Sequence, residues 1–389
     1  MTKRIPLSIP NLSGNELKYV SEAIESGWVS TAGPFVSQFE KKIADYVGVE
    51  DAVSCQNGTS GIHLALKVLG INQEHEVFAP TLTFIAAVNP IKYVGAEPIF
   101  IDCDDSLGIN SDEIELFIEK QCHFNGSDLV NLKTNKIIKA VVVVHIFGNL
   151  AEMEKILEIA QKYHLLVIED ATEALGTYYT SGPLKGLYAG TIGDIGVYSF
   201  NGNKIITTGG GGILVSKEPA YLKKARYLST QAKDNAVEFI HHEIGYNYRM
   251  TNIQAAMGLA QLEQLETFIS TKKSNYYYLK ESLFETGLKL LDFRSNTRPN
   301  FWLTSLLIPE KFEPMSLVRY LEKNYIESRP IWGLIHTQKP YLISQKSSLS
   351  NALKYHSSIV NVPSSSQLLK SEIDSLVLNL KSFFKLGVK

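Results

Sequence analysis

One lysine, Lys204, stands among small, polar and apolar residues in the segment SFNGNKIITTGGGG, residues 199–212. A hydroxyl lies five positions before it, at Ser199, and four glycines follow at 209–212. An amine in such surroundings can be desolvated, which lowers the pKa of a lysine and frees its lone pair. It can then form a Schiff base with an aldehyde. Taken alone, the segment is equally well explained as a glycine-rich surface turn with an incidental lysine.

A carboxylate and a turn of small residues would serve the same chemistry. Asp170 follows an apolar run in VIEDATEALG, so we expect its carboxylate to be partly buried, which is costly without a partner. A protonated pyridine nitrogen is one such partner, and a charge-assisted bond to it contributes about 1.5–3 kcal/mol. Residues 56–60, QNGTS, offer backbone amides and the hydroxyls of Thr59 and Ser60 to an anion. Capping of the next helix by either hydroxyl is the alternative.

Pyridoxal phosphate requires all of these groups together with an aromatic ring that can stack on its own, and Phe84 offers one. Each residue alone has a commoner explanation, since an Asp at a strand end often caps or binds a metal and a Phe in an apolar segment is usually core. The order of the whole set along the chain is far more specific.

Alternating strands and helices are predicted to position these groups. Short apolar runs predict strands at residues 52–55, 76–80, 97–102, 139–148, 164–170, 193–200 and 211–216. Helical spacing of apolar residues predicts helices at 15–26, 36–47, 60–70, 84–95, 111–122, 151–163 and 219–231, and a long helix from about Thr251. Pro90 is expected to kink or break the helix at 84–95.

This alternation is typical of a doubly wound, mostly parallel sheet, in which ligands bind at the carboxyl ends of the strands. The residues expected at that edge are 57–60, 81–84, His145 and Asp170. Residues 123–137 lack clear periodicity and are predicted to be a surface insertion. We predict a large domain at 1–265 and a smaller α+β domain at 266–389.

Composition narrows the function classes. Hydrophobic residues make up 44% and charged residues 20% of the 389, as is ordinary for an enzyme of about two domains. A net charge of −2 gives no basic excess for a nucleic-acid partner. Three scattered cysteines favour reduced thiols and a cytoplasmic location. No signal peptide, membrane association or metal site is expected, because neither long apolar runs nor metal-ligand spacing is found.

The chain resembles the sugar aminotransferases of the DegT/DnrJ/EryC1/StrS family over nearly its whole length. The markers are GWVSTAGPFVSQFE, NGTSGIHLAL, APTLTFIAAVN, IEDATEALG, SFNGNKIITTGGGG and GYNYRMTNIQAA. The resemblance implies a pyridoxal-phosphate enzyme of the aspartate-aminotransferase (type I) fold. In that fold a large domain holds a mostly parallel seven-stranded sheet flanked by helices, and a smaller α+β domain follows at the C-terminus.

The resemblance also implies a role for each matching position. Lys204 would anchor the cofactor and act as general acid/base, and Asp170 would pair with the pyridine nitrogen. The other residues implied at the cofactor are Gly58, Thr59, Ser60 and Ser199 at the phosphate, Phe84 against the ring, and Glu173, which stands where family members commonly have His or Gln. Asn247 matches a residue that reaches the phosphate of a neighbouring subunit, so a homodimer with shared sites is expected.

Within the family, the sequence motifs are most similar to those of enzymes of the legionaminic-acid and bacillosamine type. These move an amino group from glutamate to C4 of a nucleotide-linked (UDP or GDP) 2-acetamido-2,6-dideoxy-4-keto-hexose, a precursor of surface glycans. A perosamine-type substrate without the acetamido group is the near alternative. A sugar dehydratase is a second alternative, although such relatives carry His in place of Lys204. A non-catalytic nucleotide-sugar-binding protein is a third.

Substrate contacts are predicted from two loops and one further residue. The residues are Trp28, Ser30, Thr31, Tyr178, Arg329, Trp332 and His336. For Trp332 the alternative is a core position, and for Arg329 it is a surface ion pair. His145, which follows a buried strand, is nearly as well explained as a core histidine as by a role in the site.

Overall fold

The computed structural model describes residues 4–235 and 237–386. Its α-helices are α1 (Glu16–Glu25), α2 (Pro34–Val47), α3 (Gly58–Val68), α4 (Asn89–Tyr93), α5 (Ser111–Gln121), α6 (Met153–Tyr163), α7 (Pro219–Ser229), α8 (Asn252–Leu283), α9 (Pro314–Lys323), α10 (Ser350–His356) and α11 (Lys370–Leu386). Its strands are β1 (Ala52–Cys55), β2 (His75–Pro80), β3 (Glu97–Ile101), β4 (Cys122–Phe124), β5 (Leu129–Asn131), β6 (Ile137–Val144), β7 (Leu166–Asp170), β8 (Tyr178–Tyr179), β9 (Ile195–Ser199), β10 (Gly212–Val215), β11 (Lys289–Leu290), β12 (Thr297–Arg298), β13 (Thr304–Leu307), β14 (Arg329–Pro330) and β15 (Ile359–Val362).

The main sheet follows the order β1-β10-β9-β7-β6-β2-β3. The pairings from β9 to β3 are parallel, and β10 pairs antiparallel with both β1 and β9. The side chains of β6 from Ala140 to Val144 are buried, as expected for a parallel strand covered on both faces. The predicted mostly parallel α/β sheet is therefore confirmed: the seven predicted strands form this path, and β4 and β5, which lie off it, bring the sheet to nine strands in the described part of the chain.

The predicted surface insertion at residues 123–137 is largely exposed, but it contains a feature that the sequence did not indicate, the hairpin β4–β5, which extends the sheet. Leu129 pairs with Ile138 of β6. The side chain of Asn131 is buried and donates a hydrogen bond of 2.6 Å to Glu76. Three-residue strands are too short to show a clear alternation of apolar and polar residues, so the hairpin left little trace in the sequence.

The predicted helix at 84–95 is broken, as Pro90 indicated. A 3-10 turn covers Ile85–Ala87, and α4 begins two residues later. Pro90 lies in the first turn of α4, where its missing N–H leaves no hydrogen bond unmade. The chain after β2 therefore forms a short loop in which Thr83 and Phe84 precede the 3-10 turn.

Helix α8 passes through the predicted domain boundary at 265/266. Thr251 caps it in a reciprocal pair of hydrogen bonds with Gln254. The first part of α8 packs on the core of the main sheet. Its C-terminal part, including Tyr276 and Leu279, packs in a second core with the antiparallel sheet β11-β13-β15-β14, α9 and α11. The described helices include none that is both long and apolar enough to span a bilayer.

Substitution of Gly196 tests how closely β9 packs against the backbone at Gly190. A Cβ atom there would lie 1.9 Å from the carbonyl oxygen of Gly190, a backbone atom that cannot turn away. We expect Gly196→Ala to lower the free energy of unfolding by about 3 kcal/mol, measured by denaturant titration. Gly202→Ala is the matched control, because a Cβ there meets no atom within 4 Å. Equal stability of the two variants would contradict this packing.

Candidate active site

The loop that carries Lys204 is held against the start of α3. After β9, the Lys204 amide donates to the Asn201 carbonyl at 3.0 Å. The chain then returns through the glycines to β10. A Cβ atom on Gly212 would lie 2.7 Å from the carbonyl carbon of Asn57, so only glycine allows this approach. The glycine run therefore brings the lysine loop and the start of α3 side by side.

The amine of Lys204 lies between a carboxylate and an aromatic face. Its Nζ is 3.7 Å from Glu173 Oε1 and 4.3 Å from the centroid of the Trp302 ring. The side chain of Lys204 is 12% exposed. A cation over an indole face and beside a carboxylate is stabilised from both sides.

Glu173 is itself buried. Burial raises the pKa of Glu173 to about 7, although Lys204 opposes the rise. Its other oxygen, Oε2, accepts the backbone N–H of Phe147 at 2.8 Å. Phe147 has a φ of +53°, a strained conformation for a residue with a side chain, and strain of this kind is often found at functional sites.

Asp170 ends β7 as a buried carboxylate. Burial raises the pKa of Asp170, while hydrogen bonding to Thr172 and the charge of Lys204 oppose the rise. The Thr172 backbone N–H donates to Oδ1 at 3.1 Å. Asp170 lies on the wall of a pocket and forms no ion pair within the part of the chain described here. A cationic ring nitrogen in the pocket would supply the partner that this carboxylate lacks.

The first turn of α3 offers an anion site. Asn57 caps the helix by accepting the Ser60 N–H at 2.8 Å, and the Ser60 hydroxyl donates back to the Asn57 carbonyl at 2.8 Å. Gly58 and Thr59 line the pocket at this positive end of the helix. A Cβ atom on Gly58 would lie 2.9 Å from Thr172 and 3.0 Å from the Ser199 side chain, so a close-fitting cradle is formed.

These groups surround one pocket of about 320 Å³, a size suited to a small-molecule cofactor. The predicted residues that line it are Gly58, Thr59, Phe84, Asp170, Glu173, Ser199, Lys204 and Trp332. The Trp332 ring lies 6.0 Å from Phe84 and 5.0 Å from Phe147, which makes one wall aromatic. Amine, buried carboxylate, anion cradle and aromatic wall fit pyridoxal phosphate.

Other predicted residues lie away from this pocket. The Ser60 hydroxyl is used in the helix cap described above. Tyr178 packs 5.1 Å from the Tyr188 ring. Arg329 is exposed and pairs with Glu327 at 2.9 Å, as the surface alternative proposed. The Nδ1 atom of His336 lies 2.7 Å from the hydroxyl of Thr81.

The N-terminal loop and Asn247 lie near the start of α8. Asn252 donates from its side chain to the Trp28 carbonyl at 2.7 Å and from its backbone to the Ser30 carbonyl at 2.6 Å. Thr31 follows in the same loop. Trp28 is 56% exposed, and Asn247 is exposed apart from a hydrogen bond of 3.3 Å from Gln231. Within a single chain the structure does not bring this loop or Asn247 to the pocket.

His145 is buried behind the site and supports the end of β7. Because the Ala151 N–H donates to its Nδ1 at 3.2 Å, neutral His145 carries its proton on Nε2, which donates to Glu169 at 2.8 Å. Glu169 also accepts the backbone N–H groups of Gly190, Ile192 and Gly193. Burial alone would raise the pKa of Glu169, but these bonds lower it below its usual value. These hydrogen bonds hold Glu169, the residue before Asp170, in place.

Trp302 is the main residue that the sequence did not indicate. It lies between Phe301 and Leu303 in an apolar segment, and nothing in its spacing points to Lys204. Its indole N–H donates to the Asn203 carbonyl at 2.7 Å. A partner for this N–H was to be expected, because a buried indole usually needs one. Which partner it finds depends on the tertiary fold.

Comparison with known proteins agrees with this geometry. The chain matches the model of the DegT/DnrJ/EryC1/StrS aminotransferase family over residues 10–381. It is 40% identical over 340 residues to EpsN of Bacillus subtilis (strain 168), provisionally named as a pyridoxal phosphate-dependent aminotransferase, covering 87% of this chain and 84% of that protein. It is 37% identical over 383 residues to the GDP-perosamine synthase of Escherichia coli O157:H7, covering 98% and 99%.

Among solved structures, a DegT DnrJ EryC1 StrS aminotransferase from Brucella abortus has a TM-score of 0.85 at 25% identity over 95% of both chains. The predicted type I fold, aminotransferase activity and pyridoxal phosphate cofactor are thereby confirmed. The match to the family model, and the 37% identity to the GDP-perosamine synthase over nearly the whole of both proteins, show that this chain belongs to the DegT/DnrJ/EryC1/StrS aminotransferase family.

Proposed function

We propose that this enzyme transfers an amino group from L-glutamate to C4 of a nucleotide-linked 6-deoxy-4-keto-hexose, giving a 4-amino sugar nucleotide for surface-glycan synthesis. The observation that carries the proposal is the position of Lys204. Its amine lies in a pocket beside Glu173, with the buried carboxylate of Asp170 and the first turn of α3 on the same walls.

Each of these residues has a task that follows from its surroundings. Pyridoxal phosphate, when bound, supplies an electron sink that lets an amino group move between two carbonyl carbons. Lys204 would attach the cofactor and would carry a proton on Nζ to and from the reacting carbon. Asp170 would keep the ring nitrogen protonated, and Gly58, Thr59 and Ser199 would hold the phosphate. The Trp302 ring, whose centroid lies 4.3 Å from Nζ, covers one side of the amine.

We propose two candidate substrates, the preferred one first. The sequence markers favour a 2-acetamido-2,6-dideoxy-4-keto-hexose, as in the legionaminic-acid and bacillosamine type. The relative named GDP-perosamine synthase, which matches 98% of this chain, favours a 4-keto-6-deoxyhexose without the acetamido group. Among the predicted substrate residues, Trp332 lines the pocket. We propose that the Trp28–Thr31 loop, Tyr178, Arg329 and His336 approach the sugar nucleotide from further out.

We also propose that the enzyme is a homodimer with shared sites. Large apolar side chains are exposed just before Asn247, with Val237 86%, Phe239 72% and Ile244 85% exposed. Large apolar side chains exposed this close together in sequence are typical of a surface that binds another protein. A second copy that covers it would shield these side chains, and Asn247 would reach the neighbouring phosphate site, as the resemblance implies.

The first prediction concerns Lys204. Lys204→Ala removes both the covalent anchor and the proton carrier, so amino transfer should fall by about 10³-fold or more. The visible absorbance of the lysine-bound cofactor should be lost. Lys185→Ala, which removes an exposed lysine, is the control and should behave as wild type. Unchanged turnover in Lys204→Ala would refute the assignment.

The second prediction concerns the reaction. With ¹⁵N-labelled glutamate, NMR of the product should show labelled nitrogen on C4 of the sugar. UDP- and GDP-linked 4-keto sugars, each with and without the 2-acetamido group, are compared by kcat/KM. Loss of a sugar hydroxyl without gain of nitrogen would instead identify a dehydratase. Tight binding of the sugar nucleotides without turnover would identify a binding protein.

The third prediction concerns the shared site. Lys204→Ala and Asn247→Ala should each be poorly active alone. Co-expressed chains that assemble at random into twofold dimers should recover about a quarter of wild-type activity, because half are mixed and each mixed dimer has one intact site. No recovery in mixed dimers, verified by differently tagged chains, would contradict a contribution of Asn247 across the interface.

A further inference from the structure

Lys272 of α8 is a buried lysine that the proposed function does not use. Its Nζ donates to the carbonyl oxygen of Trp302 at 3.1 Å and to that of Ser364 at shorter distance. The small cavity beside it is lined by Leu279, Phe301, Leu376 and other residues, none of which is ionisable apart from Lys272. Burial alone therefore lowers the pKa of Lys272 to about 7.

The two acceptors match a neutral amine. An –NH₂ group has two N–H bonds, and the two carbonyl oxygens accept both, whereas an ammonium carries a third donor. An apolar side chain at this position would leave two buried carbonyls without a partner. Burying the lysine thus costs free energy, and its two hydrogen bonds fix the positions of the two carbonyls.

One of those carbonyls belongs to the residue that touches Lys204. Every polar group of Trp302 is engaged. Its backbone N–H donates to Asn300 Oδ1 at 2.9 Å, its indole N–H donates to Asn203, and its carbonyl accepts from Lys272. The indole face then lies 4.3 Å from the Lys204 amine. Asn300 is itself buried and donates to the carbonyl of Glu173 at 2.9 Å.

We propose that Lys272 is a positioning residue for the catalytic amine. It holds Trp302 in the place where the indole face and Glu173 flank Lys204, and through Ser364 it links that place to the second core. The proposal rests on the proposed role of Lys204. It concerns how the Lys204 amine is held before any cofactor binds, so it can fail while the aminotransferase function stands.

The test uses the full-length chain freed of cofactor, without any sugar. Reductive methylation with formaldehyde and cyanoborohydride at pH 7 modifies neutral amines, and peptide mass spectrometry gives the rate at Lys204. Trp302→Leu removes the contact between the indole face and the Lys204 amine, so the amine is no longer held and covered on that side and the rate should rise about two- to fivefold. Lys272→Met should raise the rate by a similar factor.

The combination of variants separates positioning from simple stabilisation. Since both act through one contact, Lys272→Met should have no further effect in the Trp302→Leu background. Lys273→Met, which removes the exposed neighbouring lysine, should leave the rate at the wild-type value. A rate at Lys204 that is unchanged in Lys272→Met, whatever its stability, would overturn the proposal, as would effects that multiply in the double variant.

A second variant covers a failure to fold. Lys272→Gln keeps a polar donor but is too short to reach both carbonyls, and its rate should fall between those of wild type and Trp302→Leu. If Lys272→Met does not fold, an increase in Lys272→Gln that vanishes in the Trp302→Leu background supports the link. An increase of equal size in both backgrounds overturns it.

Discussion

Burying two carboxylates beside a single amine is the constraint on which the site depends. Asp170 and Glu173 are both buried, and Lys204 is the cation that opposes the rise in pKa of each. One amine cannot fully compensate two carboxylates in a medium of low polarity. The arrangement therefore favours the binding of a cationic ring at Asp170 and the retention of a proton near Glu173.

The surrounding fold holds these charges in place with neutral groups. The Phe147 amide serves Glu173, and the Thr172 amide serves Asp170. Behind them, His145 and three backbone amides fix Glu169. Hydrogen bonds in such water-poor surroundings are strong, and an unmade one is expensive, so each loop has one favoured position. The strained backbone at Phe147 is tolerated because these bonds outweigh it.

Residues beyond the main sheet complete the pocket. Trp302 and Trp332 both follow α8, yet their rings lie against Phe147, in the loop after β6. The Lys204 amine thus lies against Trp302, a residue about 100 positions later in the sequence. The two cores share α8, and Lys272 of that helix donates a hydrogen bond to the carbonyl of Trp302, the residue whose ring lies against Lys204.

Much of this enzyme was determined by sequence alone. Apolar runs and helical spacing predicted the strands and helices of the main sheet, since burial on both faces imposes long apolar strands. Asp170 at the end of β7, and Gly58 and Thr59 at the start of α3, were predicted from such positions, whereas Lys204 was singled out by the glycine-rich segment that carries it. Their order along the chain and the family resemblance, rather than any one residue, indicated a common site. The hairpin β4–β5 was missed because its strands are three residues long.

Tertiary structure alone decided which groups meet. The approach of Trp302 to Lys204 and the contact of His336 with Thr81 join distant parts of the chain and depend on contacts that no spacing encodes. The Ser60 helix cap and the ion pair of Arg329 with Glu327 are local and were alternatives in the sequence, but the structure decided between them and a role in the pocket. Lys272 is the clearest case. In sequence it is one of several lysines on a long helix, and its burial against two carbonyls exists only because α8 is covered on that side by the second core. Periodicity records which face of an element is apolar, whereas the partner of each polar group is set by packing between distant parts of the chain.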